Sequence, residues 1–182
     1  MSHRPDHAGS STGSLTGGVL AVLVSALAEG RTLTQGLADA KDCPVQRAGH
    51  EETLGALEQA ERLAASTSAP AAAIAELGEG WIAEEALAIA VYCALVARDF
   101  RHGVVLAVNH DGDSDSTEAI TGNLLGARYG VSAIAAEWLE PLELREVIAK
   151  IAEDLFAFRE WQLGASSEDD DRNRRIRDKY PE

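Results

Sequence analysis

The sequence predicts an all-α fold, and three observations support this prediction. Alanine and leucine are abundant in a chain of 182 residues, whereas aromatic residues contribute only 5%, a composition that favours helices over sheets. The long segments repeat their apolar residues at helical spacing. Because 46% of the residues are hydrophobic, a core can form, and the length suits one domain of ordinary size or a large fragment of one.

A polar arm precedes the first helix, and a charged segment follows the last one. Residues 1–13 are rich in Gly, Pro, Ser and His, which predicts a flexible arm. Residues 14–163 form the predicted helical domain. Residues 164–182 are charged and have no apolar periodicity, so we expect a disordered tail there.

Helix signals follow one another along the predicted domain. Ser14 caps a first helix over residues 15–29, and Gly30 ends it. This helix should be central, because it is apolar nearly all round. The apolar run over residues 103–108 fits a strand or a buried helix, and periodicity alone does not decide between them. The other predicted helices run from Thr32 or Thr34 to about Lys41, over residues 50–65, over residues 71–77 behind Pro70, from Trp81 to about Arg98, and from Glu140-Pro141 onward.

The formal net charge of -14 and the presence of only two cysteines limit the function. An acidic surface repels phosphate backbones, so we expect no nucleic-acid ligand, while divalent cations are favoured. Cys43 and Cys93 form no CxxC pair, which argues against a zinc site or a disulfide framework and indicates the cytoplasm. We expect no membrane association, because the apolar run over residues 15–28 is too short to span a bilayer.

Residues 109–130 carry the strongest chemical signal. Asp111, Asp113 and Asp115 occupy alternate positions, Ser116 follows, and a helix-like run comes next. Carboxylates in this pattern can direct several oxygens at one point, and an all-oxygen set suits Mg²⁺, Mn²⁺ or Ca²⁺. The simpler interpretation is a helix capped by Asp115 or Ser116, with its acids on the helix dipole.

Two other motifs share part of this aspartate pattern. An EF-hand loop that starts at Asp111 needs glycine and glutamate where Ser116 and Gly122 stand, so the sequence excludes it. A phosphatase with an aspartyl nucleophile would have the motif Asp113-x-Asp115-x-Thr117 after a strand over residues 104–108. That fold needs further parallel strands, and only helical patterns follow, so the phosphatase is a minor alternative.

Two blocks of the chain resemble the ADP-ribosylglycohydrolase family. Gly112-Asp113-Ser114-Asp115-Ser116, followed by the run AITGNLLG and by Gly130, is similar to the family's G-D-[ST]-D-[ST] signature and its glycine-bearing helix. Residues 77–87, LGEGWIAEEAL, resemble a second block of the family at a similar spacing. Together with a similarity at residues 12–18, the resemblance covers about residues 12–160.

The resemblance implies an all-helical orthogonal bundle and a hydrolase. The family binds two divalent metals, usually Mg²⁺, and cleaves the N- or O-glycosidic bond between ADP-ribose and a protein side chain or a small molecule. By this resemblance Asp113, Asp115 and Ser116 match ligands of Mg²⁺ or Mn²⁺, and the two aspartates are the candidate catalytic residues. The candidate substrate-binding residues of the other block are Gly78, Gly80 and Glu85.

One part of the family pattern is missing from the chain. The family's other metal ligands lie in a T-D-D motif near its N-terminus, and this sequence has no such motif. We therefore expect a chain that corresponds to the C-terminal half of the fold, incomplete at its N-terminus and weakly active or inactive alone. The first hypothesis is a hydrolase that becomes active when a partner supplies the missing half. The second is a non-enzymatic helical module with one weak divalent-cation site.

Overall fold

The computed structural model describes residues 11–42, residues 50–157 and residue 178. Most of the predicted arm and nearly all of the predicted tail lie outside the described residues, as does Cys43. Every regular element in the described ranges is helical and none is a strand, which confirms the all-α prediction. The helices are α1 Ser11–Ala28, α2 Leu33–Asp42, α3 His50–Ala64, α4 Pro70–Leu77, α5 Ala83–Val96, α6 Phe100–Val108, α7 Ser114–Tyr129, a short 3-10 helix Val131–Ala133, α8 Ala136–Leu139 and α9 Arg145–Ala157.

Local signals explain where the first helices begin. α1 begins at Ser11, so Ser14 lies inside the helix and its predicted role as a cap is wrong. At the start of α2, the Gln35 N–H donates to Thr32 Oγ1 over 3.2 Å and the Thr32 N–H donates to Gln35 Oε1 over 2.9 Å. This reciprocal pair is a capping box, which selects Thr32 over Thr34. Pro70 is the first residue of α4, as predicted.

The helix predicted from Trp81 to Arg98 is shorter at both ends. α5 begins at Ala83 and ends at Val96. The segment before it cannot be helical, because Gly80 has a positive φ of 81°. The backbone just after α5 is extended, and Asp99 then caps the next helix, α6.

Helix α5 is the centre of the first part of the chain. Residues 86–94 of α5 are all buried, and the helix packs against α1, α3, α4, α6 and α7. The predicted central position of α1 is wrong. Leu15 and Leu23 of α1 are buried, but Gly17 and Ala21 on another face are exposed. An apolar composition all round therefore does not by itself place a helix at the centre, because small residues tolerate exposure.

The apolar run over residues 103–108 belongs to a helix. The His102 N–H donates to Asp99 Oδ1 over 2.7 Å and so caps α6. Gly103 allows α6 to lie close to α7, because a Cβ at this position would collide with Leu125. The phosphatase alternative requires a strand in this run, so the helix removes that alternative.

The chain divides into two compact units, Met1–Ala136 and Glu137–Glu182. The division falls inside the predicted range 14–163, and the aspartate motif lies in the first unit. In the second unit α9 begins at Arg145 rather than at Glu140-Pro141, and Leu144 before it has a positive φ of 55°. None of the helices in the described ranges has the length and apolar character needed to cross a membrane.

Candidate functional site

The aspartate motif forms the turn between α6 and α7. Since α7 begins at Ser114, Asp113 is its N-cap residue. Capping is the usual role of an aspartate at this position, yet the Asp113 side chain makes no cap hydrogen bond within the described chain. Asp115 and Ser116 lie in the first turn, so the prediction that one of them is the cap is wrong. The carboxylate of the half-buried Asp113 therefore does not cap α7.

The side chains of Asp113 and Asp115 interact with each other. Their hydrogen bond is the largest cause that lowers the pKa of Asp115, and the backbone N–H groups of Asp115 and Ser116 lower it further. Two carboxylates within one helical turn offer oxygen atoms, which are the ligands that hard divalent cations prefer. The arrangement is therefore chemically suited to a cation.

Asp113 and Ser116 line a cavity of about 310 Å³ formed with residues of α1 and α5. Thr16 of α1 lines the same cavity, and Trp81, which is 48% exposed, forms part of its wall. The other lining side chains are mostly apolar, namely those of Leu20, Ile82, Ala83, Ala86, Leu87 and Ile120. The cavity thus has a polar end at the start of α7 and apolar walls, which is typical of small-molecule sites.

A close backbone contact positions the turn that carries Asp113. The Asp113 N–H donates to the Glu79 carbonyl oxygen over 2.8 Å. A Cβ on Gly112 would overlap this carbonyl group, so the two segments can approach this closely only because residue 112 is glycine. A Cβ on Gly80 would likewise come within 2.9 Å of Thr117 Cγ2. We call this contact between residues 78–80 and residues 112–113 the clasp.

A buried threonine anchors the first turn of α7 to the end of α6. Thr117 is fully buried, and its Oγ1 donates to the Ala107 carbonyl oxygen over 2.9 Å. His110 Nε2 lies 2.8 Å from the same Oγ1, and Thr121 Oγ1 donates to the Thr117 carbonyl oxygen over 2.7 Å. His110 Nδ1 is buried and has no hydrogen-bond partner in the described part of the chain. These bonds hold the turn between the two helices from the side of the core.

The three predicted substrate-binding residues contact one another, because Glu85 Oε2 accepts the Gly80 N–H over 3.0 Å and lies beside Gly78, but they line different cavities. Gly80 lines the cavity that contains Asp113. Gly78 lines a different cleft, between α4 and the end of α6. Glu85 lines a third, between α3 and α5. Substrate binding by these residues stays a prediction, and the geometry favours Gly80 over the other two.

The side chains at the start of α7 fit part of a divalent-cation site. Asp113, Asp115 and Ser116 offer carboxylate and hydroxyl oxygens, which are the ligands that Mg²⁺ and Mn²⁺ prefer. Among the described residues, no group of three or more His, Cys, Asp or Glu side chains is placed to hold a metal ion. The set therefore fits a cation that takes its other ligands from water, from a substrate or from another chain.

Two residues of the cavity are not identified as functional by the sequence analysis. Thr16 is buried, and its Oγ1 lies 3.4 Å from Thr53 Oγ1. A threonine within an apolar helix is a usable signal, because a buried hydroxyl needs a partner. Trp81 Nε1–H donates to Glu79 Oε2 over 3.0 Å. No comparable signal exists for Trp81, since a tryptophan near an apolar helix is equally typical of a core.

Comparison with known proteins agrees with this fold and this motif. A family model described as ADP-ribosylglycohydrolase matches residues 1–164. The chain therefore belongs to the ADP-ribosylglycohydrolase family. No solved structure matches the chain.

Several relatives are similar to a shorter part of the chain. The ADP-ribosylarginine hydrolase Tri1 of Pseudomonas putida (strain GB-1) is 36% identical over 72 residues, which are 40% of this chain and 19% of that protein. The protein of the same name from Serratia proteamaculans (strain 568) is 38% identical over 72 residues, which are 40% of this chain and 20% of that protein. The ADP-ribosyl-[dinitrogen reductase] glycohydrolase of Rhodospirillum rubrum is 40% identical over 50 residues, 28% of this chain and 17% of that protein. The chain thus spans about a fifth of the length of these relatives.

Proposed function

We propose that the chain contributes metal ligands to an ADP-ribosylglycohydrolase active site, which hydrolyses the glycosidic bond between ADP-ribose and a protein side chain or a small molecule. The pair formed by Asp113 and Asp115 carries this proposal. The two carboxylates interact at the start of α7, and the one beside the cavity is not used as a helix cap. Relatives named ADP-ribosylarginine hydrolase make ADP-ribosylated arginine the first substrate to test.

In this proposal Asp113, Asp115 and Ser116 hold one Mg²⁺ or Mn²⁺. Such a cation, when bound, activates ribose hydroxyl groups as a Lewis acid and orients a water molecule. Asp113 lines the cavity, so its carboxylate oxygens are the ones placed to accept a proton from a water molecule there. Apolar walls near Leu87 and Ile120 border the polar end of the cavity.

We propose further that the chain alone is weakly active or inactive. The sequence has no T-D-D motif, and the described residues contain no cluster of three metal-binding side chains. A partial ligand set leaves most of the coordination to water, which Mg²⁺ releases reluctantly. A partner that supplies further metal ligands would complete the site.

A second candidate function is that of a non-enzymatic helical module with one weak divalent-cation site. The same lack of a three-residue cluster in the described ranges favours this candidate. Both candidates fit a cytoplasmic protein, since two cysteines without a CxxC pair suit a reducing compartment. Neither involves nucleic acid, given the net charge of -14.

Titration calorimetry with Mn²⁺ tests the site, with Asp111→Ala as the matched control for Asp113→Ala. Asp111 belongs to the same motif but lines a different cleft. We expect weak binding by the wild-type chain, loss of binding in Asp113→Ala, and unchanged binding in Asp111→Ala. Turnover of ADP-ribosylated arginine and serine peptides by the chain alone should be slight or absent.

The outcomes separate the candidates. Equal Mn²⁺ binding by the wild-type chain and Asp113→Ala would remove the proposed site. Robust turnover by the wild-type chain, unchanged in Asp113→Ala, would overturn both the site and the requirement for a partner. Turnover that appears when a separately produced N-terminal half of a relative is added would favour the hydrolase over the non-enzymatic module.

A further inference from the structure

Glu85 binds the backbone of the clasp. Its Oε2 accepts hydrogen bonds from the Glu79 N–H over 3.1 Å and from the Gly80 N–H over 3.0 Å. Gly78 has a φ of +122°, and a Cβ there would lie 2.5 Å from Glu85 Cδ. One carboxylate therefore organises three consecutive residues, and two of the three are glycines with positive φ.

The same three residues hold the start of α7. The Glu79 carbonyl oxygen accepts the hydrogen bond from the Asp113 N–H over 2.8 Å. Gly80 is buried and packs beside Asp113. A Cβ placed on Gly80 would lie 3.6 Å from the Asp113 Cβ. A continuous path of contacts thus leads from the Glu85 carboxylate through the clasp to Asp113.

Glu85 itself is not in the cavity of the candidate metal ligands. Its side chain lines the cleft between α3 and α5, together with Glu52 and Gln59. Asp113 and Ser116 line the other cavity, in which Glu85 has no part. The Glu85 oxygen that faces the clasp is already occupied by two N–H donors. Direct contact between Glu85 and a ligand beside Asp113 is therefore disfavoured.

We propose that Glu85 is a positioning residue for Asp113. Its carboxylate fixes the loop over residues 78–80, and the loop fixes the orientation in which Asp113 meets a cation. The cation part of this inference rests on the proposed function, whereas the control of the clasp does not. Removing an outer partner that orients a metal ligand typically costs about 10–100-fold in metal affinity.

The test compares Glu85→Ala and Glu85→Gln, with Glu84→Ala as the matched control on the same helical turn. Glutamine keeps an oxygen at the position of Oε2, and a carboxamide oxygen has two lone pairs with which to accept both N–H bonds. Two quantities are measured under conditions in which circular dichroism shows every variant folded. These are the Mn²⁺ affinity and the hydrogen-exchange rate of the Asp113 amide in the metal-free chain.

We expect Glu85→Ala to weaken Mn²⁺ binding by about 10-fold or more and to accelerate exchange of the Asp113 amide. Glu85→Gln should stay close to the wild-type chain in both measurements, and Glu84→Ala should not differ from it. A Glu85→Gln variant as impaired as Glu85→Ala would overturn the proposal, because the charge rather than the hydrogen-bonded geometry would then matter.

The amide measurement keeps the two proposals distinguishable. If the wild-type chain binds no Mn²⁺, the proposed cation site fails, and the Asp113 amide still reports on the clasp. Unchanged amide exchange in Glu85→Ala would overturn the positioning role, whatever the metal affinity. Glu84→Ala with effects as large as those of Glu85→Ala would also overturn it, since a general effect of acids in the first turn would explain both.

Discussion

Replacing Gly112 by alanine perturbs the clasp at its closest point. A Cβ on residue 112 would overlap the Glu79 carbonyl oxygen, and it would lie 2.8 Å from the carbonyl carbon and 3.0 Å from the Glu79 Cα. These are backbone atoms, which cannot rotate away as the end of a flexible side chain can. The turn or the loop must therefore move, and the 2.8 Å bond from the Asp113 N–H to the Glu79 carbonyl oxygen is lost.

Two costs of Gly112→Ala add together. The lost backbone hydrogen bond costs about 0.5–1.5 kcal/mol, and forcing a methyl group into a packed contact costs about 1–3 kcal/mol. We expect the free energy of unfolding to fall by roughly 2–4 kcal/mol. For a chain of this size that corresponds to a decrease in Tm of roughly 5–15 °C. Mn²⁺ affinity should fall as well, because the displaced segment carries Asp113.

Thermal and urea unfolding followed by circular dichroism measure the effect, and Gly122→Ala is the matched control. A Cβ on Gly122, inside α7, meets no other atom within 4 Å among the described residues. Alanine there should raise the free energy of unfolding by about 0.5–1 kcal/mol, because it is the better helix former. The two substitutions thus have opposite expected signs. A Gly112→Ala variant as stable as the wild-type chain, with unchanged Mn²⁺ affinity, would refute the clasp.

Two further predictions concern ionisable side chains. The pKa of Asp115 in the folded chain lies below its ordinary value of 3.8, chiefly because of the hydrogen bond with Asp113. Ionised Asp115 therefore stabilises the fold above pH 3.8. This stabilisation is lost as the pH falls through the pKa of Asp115 in the folded chain. Urea unfolding above and below pH 3.8 should therefore show a steeper loss on acidification in the wild-type chain than in Asp115→Asn, and equal slopes would contradict the assignment. Burial raises the pKa of Cys93 to about 12, so in a Cys43→Ser background a thiol reagent at neutral pH should label Cys93 rapidly only after unfolding. Equally fast labelling of the native chain would show that the core around α5 opens readily.

The sequence predicts the parts of the structure that depend on local signals. Pro70 opens α4, Gly30 follows the end of α1, and the all-helical class follows from apolar periodicity. Asp113 and Ser116 share a cavity because they are three residues apart across one turn of helix. These features need only short-range stereochemistry, which a sequence pattern contains.

The clasp could not be predicted, because it joins segments more than thirty residues apart. Glu84 and Glu85 are equivalent as acids in the first turn of α5, and only the tertiary fold assigns the Glu79 and Gly80 N–H groups to Glu85. The start of α5 at Ala83 depends on the same contact, which holds the preceding segment out of the helix. Long-range contacts thus determine where α5 begins, which apolar periodicity predicts wrongly. They also determine the role of Glu85, which the sequence motif does not reveal.

The glycines of the signature have different physical reasons for being glycine. Gly112 has no room for a Cβ, because the Glu79 carbonyl group occupies that space. Gly130 has a φ of +75° and its N–H donates to the Gly126 carbonyl oxygen, so it ends α7. Gly122 and Gly126 have ordinary helical backbones and open space around the position of a Cβ among the described residues. Gly112 is thus the glycine tied sterically to the candidate site, and Gly130 serves the helix end. The described residues place no steric requirement on the two helical glycines. A match to the signature is therefore not evidence that every matching glycine serves the site, and each position needs its own physical test.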